Sequence, residues 1–224
     1  MNFTKDTPKS SIEHAIREMV YREMGLKVPF QAQGPNPLLV NVSARHAHLT
    51  KEAVEALFGK GYELTVHKWL YQEGQFAAKE TVTLIGPRKK IISNLRILGP
   101  CRPEDQVELA LTDARALGFD LPIRNSGDVK NTPGCMLMGP AGFYEMPYGV
   151  IRAARHAHMS PEDAEFYGVK DKQMMKLRVL GQNAIVFENV LCRVAKGLRL
   201  EVHIDTDEGN ACDLGPKSVC ELLK

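Results

Sequence analysis

Two copies of the pentapeptide Ala-Arg-His-Ala-His, at Ala44 to His48 and at Ala154 to His158, hold four of the seven histidines in this chain. Each is followed by an apolar and a hydroxyl residue, Leu49-Thr50 in the first copy and Met159-Ser160 in the second. In an extended segment alternate side chains point to opposite faces, so the two histidines of a pair share one face. Two such imidazoles form half of a metal site. The repeat continues beyond them. Glu108 lies in an apolar segment running to Thr112-Asp113, and His203 in one running to Thr206-Asp207, with registers that differ by about one residue. The expected ligand sets are His46, His48 and Glu108, and His156, His158 and His203. Three protein ligands with a fourth position open is the catalytic pattern for zinc, whereas structural zinc is closed by four ligands.

Arginines narrow the chemistry. Arg45 and Arg155 precede the histidine pairs and on a strand would face away from them. Arg102 falls in the turn Gly99-Pro100-Cys101-Arg102, ahead of Glu108. A guanidinium beside a metal suits bidentate capture of phosphate, although a surface ion pair with Glu104 or Asp105 would explain it too. Lys68, Arg88, Lys89, Lys90 and Arg96 add positive charge to the same half, either for the phosphates of a larger ligand or as a solvated face. The chain has no phosphate-cradling Gly-x-x-x-x-Gly-Lys loop, no dinucleotide fingerprint and no Gly-x-Ser-x-Gly elbow. Its chemistry must rest on metal, arginine and a nucleophile brought by the substrate.

The elements that must position these residues read mostly as strands. Leu38 to Ser43 leads into the first histidine pair. Thr81 to Ile85, Ile91 to Leu98, Gln106 to Thr112, Met174 to Val179, Ala184 to Val194 and Leu198 to Ile204 have similar patterns, with Gly-Pro turns between some of them. Thr50 and Ser160 can each cap a short helix directly after a histidine pair, and Pro161 suits the first helical position. Many short strands with few helices favour small β-barrels over a doubly wound sheet. Ahead of them, Ser10 caps an amphipathic helix ending near Gly25, and Gln31 to Pro37 has linker chemistry. Such a helix either docks to another subunit or packs on its own domain. Its polar face carries both signs of charge, which disfavours a membrane surface.

A chain of 224 residues, 44% hydrophobic and 25% charged, holds one large domain or two small ones. Its net charge of +2 is too small for non-specific nucleic-acid binding. No apolar run approaches the roughly 20 residues of a membrane span, and no signal peptide is expected. The five cysteines lack any Cys-x-x-Cys spacing and suit a reducing compartment, as buried thiols more than ligands.

Four stretches resemble the PduL-type phosphotransacylases, the phosphate propanoyltransferases of bacterial microcompartments. They are VSARHAHLT (Val42 to Thr50), VTLIGPRKKIISNLRILGPCRPEDQVELALTDARALG (Val82 to Gly118), RHAHMSPEDAEFYGV (Arg155 to Val169) and LEVHIDTDEGNA (Leu200 to Ala211). The repeat suggests an internal duplication, and the resemblance implies two small β-barrels capped by short helices with an interleaved chain path. It divides the chain into an N-terminal segment 1–34, a barrel of 35–44 with 154–224, and a central barrel of 45–153. It places two zinc ions on the same six ligands and phosphate on Arg102. Coenzyme A falls on Ser43, Lys68, Arg96, Leu98 and Asn210, with Arg88 added from charge alone. Departures include Asn131-Thr132-Pro133-Gly134, His67 before Lys68, and Lys89-Lys90.

The activity implied is exchange of a short acyl group, propanoyl first, between coenzyme A and phosphate, by direct attack of zinc- and Arg102-held phosphate on the thioester. A homodimer or higher homo-oligomer is expected, in the lumen of a microcompartment within a bacterial cytoplasm. The N-terminal helix would meet shell proteins. Neither nucleic acid nor membrane is a partner. Three rivals remain open at this point: an acyl-Cys101 intermediate, a dinuclear zinc hydrolase, and a non-catalytic metal-stabilised microcompartment component.

Overall fold

The computed structural model describes residues 38–224, and the helix expected over Ser10 to Gly25 lies outside the described residues. From the first described strand the order is β1 (Leu39–Ser43), β2 (His46–His48), α1 (Lys51–Phe58), β3 (Val66–Trp69), β4 (Phe76–Ile85), β5 (Ile91–Gly99), β6 (Gln106–Glu108), α2 (Leu111–Leu117) and β7 (Ile123–Arg124). It continues through β8 (Cys135–Met138), β9 (Phe143–Met146), β10 (Val150–Ala153), β11 (His156–Met159), α3 (Pro161–Tyr167), β12 (Met174–Leu180), β13 (Ile185–Val194), β14 (Glu201–Asp205), α4 (Thr206–Ala211) and β15 (Val219–Leu223). None of the described helices is long and apolar enough to cross a membrane.

The fold is mainly β, with four short helices among the described residues. Its strands make two curled sheets. One runs β1-β14-β11-β13-β12-β15; the other runs β7-β10-β6-β2-β5-β4-β8-β9, with β3 added beside β4. Closure into a barrel requires the first and last strands of a sheet to pair. Here each order ends in edge strands, so the sheets are open half-barrels where the sequence suggests closed ones.

The chain divides into two compact units. One holds 38–41, His156–His203 and Cys212–Lys224; the other holds Val42–Arg155 and Ile204–Ala211. In the second unit Ala47, Ile97 and Val107 meet across neighbouring strands β2, β5 and β6. All three are fully buried in a core with Leu49, Val54, Leu57, Leu84 and Leu95. In the first unit Ala157, Cys192 and Val202 form the equivalent buried row across β11, β13 and β14. Burial of these alternate residues fixes register, because a slip by one position would exchange them with the face that carries the histidines.

Both expected caps form. The Thr50 hydroxyl accepts from Ala53 N at the start of α1, and Ser160 with Asp163 makes a reciprocal capping box at the start of α3. Two strands are shorter than expected. The segment Gln106 to Thr112 is extended only through Glu108, and Thr112-Asp113 lie in α2. Leu111, Ala114 and Leu117 recur at helical spacing, Ala114 and Leu117 are buried, and Gly118 ends the helix in the left-handed region. A Cβ at Gly118 would also run into the Arg88 side chain. Likewise Thr206-Asp207 open α4, where Asp205 and Glu208 each accept a hydrogen bond from the other's backbone N–H.

Candidate metal and phosphate site

In the second unit, β6 runs antiparallel to β2 and sets Glu108 opposite His46 and Gln106 opposite His48. The His46, His48 and Glu108 ligand atoms lie within 4.8 Å of one another, and all three residues are buried. His46 Nδ1 donates to the Ala44 carbonyl at 2.8 Å. That bond fixes the tautomer and frees Nε2, which lies 3.1 Å from His48 Nε2 and 3.6 Å from Glu108 Oε2.

In the first unit β14 runs antiparallel to β11 and sets His203 opposite His156. The His156 and His203 rings stack at 4.9 Å, and His158 meets His203 edge-on at 5.1 Å. Their ligand atoms again fall within 4.8 Å of one another. The buried Glu201 carboxylate lies 3.2 Å from His203 Nε2 and accepts from Asn41 Nδ2. Glu108 and His203 therefore occupy the same register position in their two sheets. The one-residue offset read from the threonines disappears, because those threonines lie in helices and Glu108 and His203 are set by strand pairing.

These donors fit a divalent metal. Burial, then the neighbouring His46 and Arg102, pushes the His48 pKa down to about 2. Burial, then His156 and His203, pushes His158 down to about 3. Both rings are neutral at any ordinary pH, as metal ligation requires. Among the described residues, the buried Nδ1 atoms of His48 and His158 find no hydrogen-bond partner. Imidazole with carboxylate, and imidazole alone, in sets of three suit zinc with an open position.

Arg102 enters through a loop anchored by its own backbone, whose N–H donates to Leu49 O at 2.9 Å. Its NH1 donates to Ser126 Oγ at 3.1 Å. Ser126 Oγ also accepts from Gln106 Nε2 at 2.9 Å, and Gln106 Nε2 donates to Glu108 Oε1 at 2.6 Å. One chain of hydrogen bonds thus joins the guanidinium to a metal-type carboxylate. Nearby, Asp105 accepts from Thr50 N and from Tyr144 OH, each at 2.7 Å, and ties the same loop to α1 and β9. Ser126, Gln106 and Tyr144 were not legible as site residues. Ser126-Gly127 reads only as a turn, although Gln106 lies two positions before Glu108 and so on its face of the strand.

The positions expected for coenzyme A all fall in the second unit. Lys68 is opposite Ala77, which is opposite Leu98, so both mark one row of the sheet. Arg96 pairs with His46 across β5 and β2, and its NH1 donates to Ala78 O and Lys79 O at 2.8 Å each. Ser43 ends β1 and exposed Asn210 lies in α4. Arg88 does something else as well: its NH1 donates to Arg115 O at 3.2 Å in the last turn of α2. Cys101 is exposed, yet desolvation of its thiol raises the pKa above the ordinary value.

The family model described as phosphate propanoyltransferase matches residues 39–215. A phosphate propanoyltransferase of Planctopirus limnophila is 51% identical over 96% of this chain and 91% of its own length. One of Thermotoga maritima is 53% identical over 84% of this chain and 89% of its own. A third, of Leptotrichia buccalis, is 46% identical over 91% and 93%. With its paired three-ligand clusters and neighbouring arginine, this chain belongs to the phosphate propanoyltransferase family.

Proposed function

We propose that the protein is a phosphate acyltransferase that moves a short acyl group, propanoyl first, between coenzyme A and phosphate. The observation that carries this reading is the continuous bonding of Arg102 to Ser126, Gln106 and Glu108. It joins an anion-binding fork to a buried set of metal donors. Family membership over most of the chain supports the reaction class.

In the reaction, a phosphate oxygen attacks the thioester carbonyl carbon, a C–O bond forms, the C–S bond breaks and coenzyme A leaves as its thiolate. Phosphate is already anionic at neutral pH and needs no strong general base. Arg102 holds and aligns it with two parallel N–H donors, which converts much of the entropic cost into binding. His46, His48 and Glu108 would hold one zinc ion and His156, His158 and His203 a second. The chemistry that bound zinc supplies is Lewis acidity toward the charge that builds on oxygen and sulfur. Ser43, Lys68, Arg96, Leu98 and Asn210 would bind coenzyme A, and Arg88 would add charge at its edge. Direct attack is preferred to an acyl-Cys101 path, because a thiol with a raised pKa is a poor nucleophile at neutral pH.

The matching registers of the two ligand sets support an internal duplication of one curled-sheet unit. The 1–34 segment would serve oligomerisation or encapsulation, in a homo-oligomer housed in a bacterial microcompartment. The test is consumption of acyl-coenzyme A of several chain lengths, with and without phosphate, beside metal analysis. Acyl phosphate formed only with phosphate, by protein holding zinc at both clusters, is expected. Thioester loss without phosphate would identify a dinuclear hydrolase, and zinc binding with no turnover a metal-stabilised scaffold.

A further inference from the structure

Gln106 is fully enclosed, and every polar atom of its side chain is used. Gly127 N donates to its Oε1 at 2.7 Å, which fixes the orientation of the amide. Its Nε2 then donates one hydrogen to Glu108 Oε1 at 2.6 Å and the other to Ser126 Oγ at 2.9 Å. With Arg102 NH1 on the same oxygen at 3.1 Å, both lone pairs of Ser126 are engaged. Glu108 has one oxygen held by this amide, and the other, Oε2, is turned to His46 Nε2 at 3.6 Å.

We infer that Gln106 is the positioning residue that sets the metal-facing carboxylate oxygen of Glu108 and the phosphate-facing guanidinium of Arg102 from a single amide. The inference rests on the reading above, that Glu108 ligates zinc and Arg102 takes phosphate. Only a side chain with two hydrogens on one atom and an acceptor on the other can serve Glu108, Ser126 and Gly127 together. Glu in its place keeps the size but loses both donated bonds and sets a second carboxylate against Glu108. Partners of this kind to metal ligands change metal affinity by about 10–100-fold when removed.

The experiment compares wild type, Gln106→Glu and Ser126→Ala by two readouts: the rate at which a chromogenic chelator strips zinc, and the separate KM values for phosphate and acyl-coenzyme A. Gln106→Glu is expected to lose zinc about tenfold faster and to raise the phosphate KM while leaving the acyl-coenzyme A KM in place. Ser126→Ala, which keeps the bond from Gln106 to Glu108, is expected to raise the phosphate KM alone and to release zinc at the wild-type rate. Wild-type zinc release by Gln106→Glu, or equal acceleration by Ser126→Ala, overturns the inference. A parallel rise of both KM values does the same. Wild-type protein that takes up zinc but forms no acyl phosphate would instead overturn the proposed function, and faster zinc release by Gln106→Glu would still report on Glu108.

Discussion

Glu208 receives a 2.6 Å ion pair from Arg155, the residue immediately before His156. The first copy of the motif repeats the arrangement, with Arg45 on Asp113 at 2.9 Å. Asp113 lies five residues after Glu108, as Glu208 lies five after His203. Each arginine therefore fastens the strand carrying two of the clustered donors to the helix that follows the third. The Arg155 pair is the more enclosed, with side chains 29% and 15% exposed against 49% and 22%. Arg155→Gln leaves a half-buried carboxylate short of its partner and is expected to cost about 2 kcal/mol. Arg45→Gln is expected to cost less than about 1 kcal/mol. Urea midpoints of the two variants check the difference; equal losses would refute this ranking.

Tyr144 and Asp105 brace the loop that carries Arg102. Burial, then the bond to Asp105, pushes the Tyr144 phenol up to about 12, so it stays a donor throughout the working range. Tyr144→Phe removes that donor without changing the ring. It is expected to cost about 1 kcal/mol of stability and to raise the phosphate KM more than the acyl-coenzyme A KM. Steady-state kinetics with each substrate varied decides this, and unchanged phosphate KM counts against the brace.

Cysteine reactivity separates direct attack from an acyl-enzyme. Burial pushes Cys135 and Cys220 up to about 12 and Cys192 to about 11. Cys101 is exposed but also raised. Iodoacetamide at neutral pH is expected to modify Cys101 first and slowly, and Cys101→Ala to retain acyl transfer. Labelled acyl group stably trapped on Cys101 in denatured protein would reverse the conclusion.

Glu80 gives the fold a pH signature. Burial alone would raise its pKa, but donors from the Thr65 hydroxyl and backbone and from Tyr62 outweigh it and hold the carboxyl below its ordinary value. The unfolded chain then takes up this proton first as pH falls. The stabilisation is complete above the ordinary carboxylate pKa and is lost as pH drops through the lower folded value. Glu80→Gln is expected to melt below wild type at pH 7 and to approach it in acid. A gap that widens in acid would contradict that assignment.

Much of the candidate site was legible because its signals are local. The histidine pairs, the caps at Thr50 and Ser160, and the long strands β4, β5, β12 and β13 are written in alternation and in single hydroxyls. What escaped depends on distant partners. Gln106 and Ser126 are joined across twenty positions, and no spacing rule points from one to the other. The strand read through Thr112 ends early because Ala114 and Leu117 bury a helical face, a pattern too short to outweigh the apolar run before it. Arg88 read as a ligand-facing charge, and its contact with the end of α2 becomes visible only once that helix exists.

The placement of β1 has a consequence for how the protein is made. Its neighbour in the sheet is β14, and Asn41 reaches Glu201 across 160 positions. A chain emerging from the ribosome therefore carries β1 without its ladder until β14 has been synthesised. Pairings of such high contact order form slowly and leave an apolar edge open in the meantime. Assembly of the six-stranded sheet thereby waits for β14, and the His156, His158 and His203 cluster waits with it.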